Sequence, residues 1–141
     1  TGTNKGNVDY WIVKLDRFGD ITWNKLMGGN EFELAQSIKP TTDGYIVAGY
    51  SNSTFNGDVT GTNHGSDDYW IVHLDNGGNI TWNQLVGGSA SDQAYSIRQT
   101  TDGGFIVAGF SYSSFSGDVT GSNHGSNDYW IIKLGSSGYL Y

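Results

Sequence analysis

The triplet Asp-Tyr-Trp occurs three times, at Asp9, Asp68 and Asp128, so its copies stand 59 and 60 residues apart. The surroundings repeat with it: NKGNVDYWIVKLD from Asn4, NHGSDDYWIVHLD from Asn63 and NHGSNDYWIIKLG from Asn123. Other segments keep the same register. ITWNKLMGG from Ile21 matches ITWNQLVGG from Ile80, and FNGDVTGTNHGS from Phe55 matches FSGDVTGSNHGS from Phe115. The one-residue difference in spacing falls in a turn, where TTDGYIVAGY from Thr41 gains a glycine in TTDGGFIVAGF from Thr100. A chain that repeats at fixed period builds one supersecondary unit per period and buries its apolar faces by stacking neighbours. The chain is therefore a single repeat region over 1–141, with units of about 1–59 and 60–119 and a partial unit 120–141.

Each unit reads as four strands. AQSIKPT from Ala35 and YIVAGYS from Tyr45 flank the turn Thr42-Asp43-Gly44, and YWIVKLD from Tyr10 and ITWNKLM from Ile21 flank Arg17-Phe18-Gly19-Asp20. β-branched and aromatic residues fill the runs, while Gly, Asp and Asn fill the gaps. No window carries the apolar spacing of an amphipathic helix. YWIVKLD is almost continuously apolar, the pattern of a strand covered on both faces. A four-stranded sheet with two apolar faces needs a like sheet on each side. Radial stacking meets that need, so the sequence predicts an all-β fold: β-propeller blades of four antiparallel strands, about two and a third repeats in this chain. A β-solenoid is the alternative, though its coils are shorter and do not use four distinct strands.

Composition narrows the function classes. There are 14 acidic and 7 basic residues, a net charge of −7, which argues against a nucleic-acid partner. No apolar run approaches the roughly 20 residues of a membrane helix, so no membrane insertion is expected. The chain has no cysteine, which leaves disulfides and thiolate metal sites out. It begins at Thr1, which reads as a processed or excised segment.

The stretch AYSIRQTTDGGFIVAGFS followed by GDVTGSNHGSNDYWIIKL resembles the tandem DGGYIVAGYS…DYWIVKLD repeats of bacterial and archaeal secreted or surface proteins. More distantly it is similar to WD-repeat and quinoprotein-type blades. The resemblance implies an extracellular or cell-surface location. It also implies a blade order in which AQSIKPT is innermost and ITWNKLM outermost. The chain would then run as two outer strands, one full blade of about 35–86, and three strands of another. Open edges at both ends invite completion by other copies of the chain or by the remainder of a longer propeller.

Candidate sites follow from the loops. In Asn52–Asp68 the oxygen donors Asp58, Asn63 and Asp67 recur as Asp118, Asn123 and Asn127. Hard cations such as Ca²⁺ take six to eight oxygens, so these six residues are the candidate calcium ligands. The same residues also serve Asx-turns, beside glycines that supply positive φ. His64 and His124 recur in the loop as hydrogen-bonding groups, and His73 replaces Lys14 and Lys133 at a position expected to be exposed. Trp11, Trp70 and Trp130 are expected in the core. Trp23 and Trp82 lie in ITWN strands beside Asn24 and Asn83, and those four residues are the candidate ligand-binding set if the rings stack on sugars. No enzyme signature occurs and no cofactor is called for apart from Ca²⁺. The sequence thus predicts an extracellular structural or interaction module, not an enzyme, with a carbohydrate-binding lectin as the alternative.

Overall fold

The computed structural model describes residues 2–141. It is all-β, with nine strands and no helix among those residues: β1 (Tyr10–Leu15), β2 (Ile21–Met27), β3 (Glu33–Pro40), β4 (Gly44–Ser51), β5 (Asp68–Asp75), β6 (Ile80–Val86), β7 (Asp92–Gln99), β8 (Phe105–Ser111) and β9 (Asp128–Leu134). They form three antiparallel sheets in chain order, β1-β2, β3-β4-β5-β6 and β7-β8-β9. Two, four and three strands is the run of strands that the resemblance implied. Within each sheet consecutive strands are neighbours, so short turns suffice for most connections.

Local chemistry sets the strand ends. Asp16 Oδ1 accepts the Phe18 and Asp20 amides, and Gly19 takes φ +91° to close the β1–β2 turn. Asp75 and Gly78 repeat this between β5 and β6, where Asp75 Oδ1 accepts the Asn79 amide. Irregularities repeat as well. The ladder slips between Ala35 and Ser37 in the middle sheet and between Ala94 and Ser96 in the third, the same position of the unit. A bulge kept in both copies is part of the design of the sheet.

The sheets stack through two separate apolar layers. Between the first and middle sheets lie Tyr10, Ile12, Met27, Val47, Trp70, Val72 and Leu74; between the middle and third lie Ile46, Tyr69, Ile71, Ile97, Phe105, Val107 and Leu134. Alternation along β5 sends Trp70, Val72 and Leu74 one way and Tyr69 and Ile71 the other, so the strand is buried on both faces. At about 25 cal/mol per Å² of apolar surface, this double burial is the main source of stability. A tyrosine fastens each layer at equivalent places. The Tyr10 hydroxyl donates to the Trp70 carbonyl (3.1 Å), and the Tyr69 hydroxyl donates to the Trp130 carbonyl (2.9 Å).

That fastening explains a glycine in each copy. A Cβ at Gly49 would overlap the Leu34 carbonyl oxygen and stand 2.5 Å from the Tyr10 hydroxyl; Gly109 has the same relation to Gln93 and Tyr69. Substituting Gly49→Ala is expected to cost about 1–3 kcal/mol through overpacking, read as a lower urea midpoint.

The end sheets differ from the middle one. Trp11 is 67% exposed although its twin Trp70 is 0%, and Tyr129 is 95% exposed although its twins Tyr10 and Tyr69 are buried. The expectation that all three Trp at this position are core residues thus holds for Trp70 and in part for Trp130, but not for Trp11. Among the described residues nothing on the outer side of the first sheet covers it. His73 departs from expectation in the other direction. It is 4% exposed, because β5 is sandwiched where β1 and β9 are not. Its Nδ1 lies 2.6 Å from Thr81 Oγ1 and its Nε2 lies 3.1 Å from Asp43 Oδ1.

Candidate functional site

The long loops after β4 and β8 are built around one carboxylate each. Asp68 Oδ2 accepts the His64 amide (2.8 Å) and faces His64 Nδ1 at 3.2 Å. Asp128 does the same with His124, and Asp9 accepts the Lys5 amide. A carboxylate four residues after the amide it holds closes the loop onto the start of the strand. The triplet's Asp is therefore a loop fastener, used once per unit.

Burial then separates twins that are chemically alike. Asp68 is fully enclosed, and desolvation pushes its pKa up to about 6, against the lowering effect of its bonds with His64. Asp128 has no sheet beyond it, and the His124 amide holds its carboxyl below the usual range. Asp68 also faces the buried Asp92 of the next sheet, whose Oδ2 accepts the Gly88 amide (2.6 Å) and the Ser113 hydroxyl (2.9 Å). One oxygen on each of Asp68 and Asp92 is buried without a hydrogen-bond partner. Glu33 takes the place of Asp92 one unit earlier, accepting the Gly29 amide (2.8 Å) and the Ser51 hydroxyl (2.7 Å). Glu33 and Asp92 align in the repeat, and sequence reasoning weighed them only for a paired-carboxylate mechanism, which it rejected, and not as structural fasteners. The signal was their alignment at one repeat position beside paired glycines.

The six candidate calcium ligands are distributed over different hydrogen-bond sets. Asp58 Oδ2 accepts Lys5 Nζ (2.5 Å) and the Gly28 amide (3.1 Å), and Asp118 accepts the Gly87 amide. Asn63 Oδ1 accepts the Gly65 amide while its Nδ2 donates to the Ser51 carbonyl; Asn123 repeats both bonds with Gly125 and Ser111. Asp67 Oδ2 accepts the Ser91 hydroxyl and the Gln93 amide group, tying the loop to the next sheet. Asn127 lines an open cleft with Asp128, Tyr129 and Phe110. Among the described residues no three His, Cys, Asp or Glu side chains come together in a metal-holding group.

The candidate sugar-stacking residues face the next unit. Trp23 Nε1 donates to the Asn76 carbonyl (3.1 Å), and its ring lies against Gly78. Trp82 stacks on His73 with ring centres 5.4 Å apart, meets Phe105 edge-on at 5.6 Å, and lies against Gly138. Asn83 is buried, and its Oδ1 accepts from Trp70 Nε1 (3.0 Å) and from the Thr60 amide and hydroxyl. Asn24 holds the same position in β2, directly opposite Val13. These four residues join neighbouring strands and sheets. Trp82→Ala is accordingly expected to lower stability by about 2 kcal/mol, from lost stacking and burial, measured by chemical unfolding.

Two further clefts border the end sheets. A cleft of about 320 Å³ runs beside the outer edge of β9, lined by Ser111, Val119, Gly121, His124, Tyr129 and Trp130. A second, of about 350 Å³ and more apolar, opens beside the inner edge of β1, lined by Val13, Leu15, Trp23, Ile38, Pro40 and Tyr45. Both border strand edges that are paired in the middle sheet. No protein-family model matches the chain, and no curated protein matches it.

Proposed function

We propose that this chain is part of a β-propeller and serves as an extracellular structural and interaction module. The observation that carries the reading is the middle sheet, covered on both faces by sheets of the same repeat. Contacts between sheets concentrate on the first strand of the following sheet: β7 lies against β3, β4 and β5. Convergence of inner strands is what an axial arrangement requires. The outer strands meet the next sheet through large side chains at their turns, Trp23 over Gly78 and Trp82 over Gly138.

The loops support the interaction role. Phe55 and Phe115 are exposed at equivalent positions with φ of +40° and +44°, a left-handed backbone that a bulky residue seldom adopts. The loop holds each one through its amide, which donates to Gly61 or Gly121. Strained, outward aromatic residues on a rigid scaffold suit contact with a partner. The extracellular location rests on the likeness to secreted surface repeats.

Residual dipolar couplings test the architecture in solution. A propeller of four to eight blades turns each sheet by about 45–90° from the last about one axis. Couplings that give the same turn and hand for both sheet pairs are expected. Sheets lying parallel, or turning in opposite senses, would remove the propeller reading.

A further inference from the structure

The two junctions between sheets are built alike, and their carboxylates differ by one methylene. In each, the glycine pair that follows a sheet's last strand lies between two acidic side chains. These are Asp9 and Glu33 at Gly28-Gly29, and Asp68 and Asp92 at Gly87-Gly88. Glu33 is long enough to use both oxygens: Oε2 accepts the Gly29 amide and Oε1 the Ser51 hydroxyl. Its carboxylate also closes directly on Asp9. A Cβ on Gly28 would stand 2.4 Å from Asp9 Oδ1 and 2.5 Å from Glu33 Oε2.

Asp92 has one methylene less. It takes the Gly88 amide and the Ser113 hydroxyl on Oδ2 alone, and its Oδ1 is buried without a partner. Asp68 Oδ1 is in the same condition, and both residues are 0% exposed. The shorter side chain also stands back from the glycine. The three atoms nearest a Cβ on Gly87 all belong to Asp68, with Oδ1 at 2.3 Å. Ser111 pairs with Asp92 in the ladder as Ser51 does with Glu33, yet it donates no bond to the carboxylate. Ser111 is buried, and its Oγ accepts the Ser113 amide.

Buried carboxylate oxygens without donors are costly. Among the described residues no lysine or arginine pairs with Asp68 or Asp92, and His64 Nδ1 faces the other oxygen of Asp68, Oδ2. Two facing carboxylates carry two negative charges on hard oxygen atoms. A divalent cation of the Ca²⁺ kind matches that charge and accepts hydroxyl, carbonyl and water oxygens for the rest of its shell.

We infer that the junction of the middle and third sheets binds one such cation, with Asp68 Oδ1 and Asp92 Oδ1 as its charged ligands. Ser111 Oγ is the nearest neutral candidate for the shell. The cation ties the start of β5 to the start of β7, so it locks one sheet to the next. It does not draw on the loop residues Asp58, Asn63 and Asp67 or their twins.

The fold supplies its own control. Asp92→Glu copies Glu33: the charge is kept, and the added methylene gives both oxygens the partners they have in the first junction. Because the carboxylates are enclosed, the full chain is unfolded in chelator and refolded with or without Ca²⁺. The parent chain is expected to retain one Ca²⁺ by metal analysis. Its urea midpoint should rise with the logarithm of Ca²⁺ concentration at constant ionic strength. Asp92→Glu should bind at least about tenfold more weakly, with a midpoint indifferent to Ca²⁺. Asp68→Asn, which can still accept the His64 amide, should lose the response as well, and it decides the matter if Asp92→Glu does not refold. A parent chain whose midpoint ignores Ca²⁺ would overturn the proposal. An undiminished response in Asp92→Glu or Asp68→Asn would overturn it too, by assigning the cation to the loops. Neither failure touches the stacking of the sheets, which the dipolar couplings test.

Discussion

Trp70→Ala is expected to destabilise the fold by about 3–5 kcal/mol, while Trp11→Ala changes it by no more than about 0.5 kcal/mol. The two residues occupy the same position of the repeat. Trp70 is fully buried, its ring centre 4.5 Å from that of Tyr10, its Nε1 bonded to Asn83 and its carbonyl bonded to the Tyr10 hydroxyl. Removing the indole opens a cavity between the first two sheets and leaves the buried Asn83 oxygen with fewer donors. Trp11 has the same local sequence and strand, but solvent on its outer face. Trp130 packs partly against the third sheet's core and should fall between them. Urea unfolding of the three variants in dilute solution gives the order. A loss at Trp11 equal to that at Trp70 would mean that sequence position, rather than coverage by a neighbouring sheet, decides stability.

The second large effect is a dependence on pH. Burial raises Asp68 to about 6, beside Asp92 of the next sheet, whereas an unfolded Asp titrates near 3.9. Between these values the folded chain keeps a proton that the unfolded chain has released. Stability therefore falls as pH rises from about 4 to about 6, and the effect is complete above that, amounting to at most about 3 kcal/mol. Asp43, Asp75, Asp102 and Asp128 are held low by hydrogen bonds and act in the opposite sense, losing stability as pH falls. The difference between the parent chain and Asp68→Asn isolates the one residue. An amide can still accept the His64 N–H, and it brings a donor to where Asp68 now has an unpartnered buried oxygen. Asp68→Asn should thus gain on the parent chain as pH rises from 4 to 6. Parallel stability curves across that range would show that Asp68 ionises freely in the fold.

Much of the architecture is legible in the sequence because the repeat states each rule more than once. The turn chemistry of Asp16–Asp20 is restated at Asp75–Asn79, and the strands fall between such turns. The four-strand unit read from about 35 to 86 begins at Glu33 in the structure, because Glu33 is a buried ladder residue rather than a solvated one. What sequence cannot express is the difference between identical residues. His73 read as an exposed variant of Lys14 and Lys133, yet it lies in a strand covered on both faces. Asp68 and Asp128 close equivalent loops and differ in the sign of their pKa shift. Of the candidate residues, Trp23, Trp82 and Asn83 were legible as repeated features; their engagement with the next strand or sheet depends on stacking geometry that no single unit contains.

The central claim is that a sheet of this repeat is stable only when a like sheet covers each face. Amide hydrogen exchange, followed at the hydrogen-bonded amides of YWIV in β1 and β5 and of YWII in β9 at a concentration where the chain is monomeric, tests it most directly. The account predicts that β5 exchanges only through global unfolding, at least about tenfold more slowly than β1 and β9. Equal protection of the three near-identical strands would contradict it.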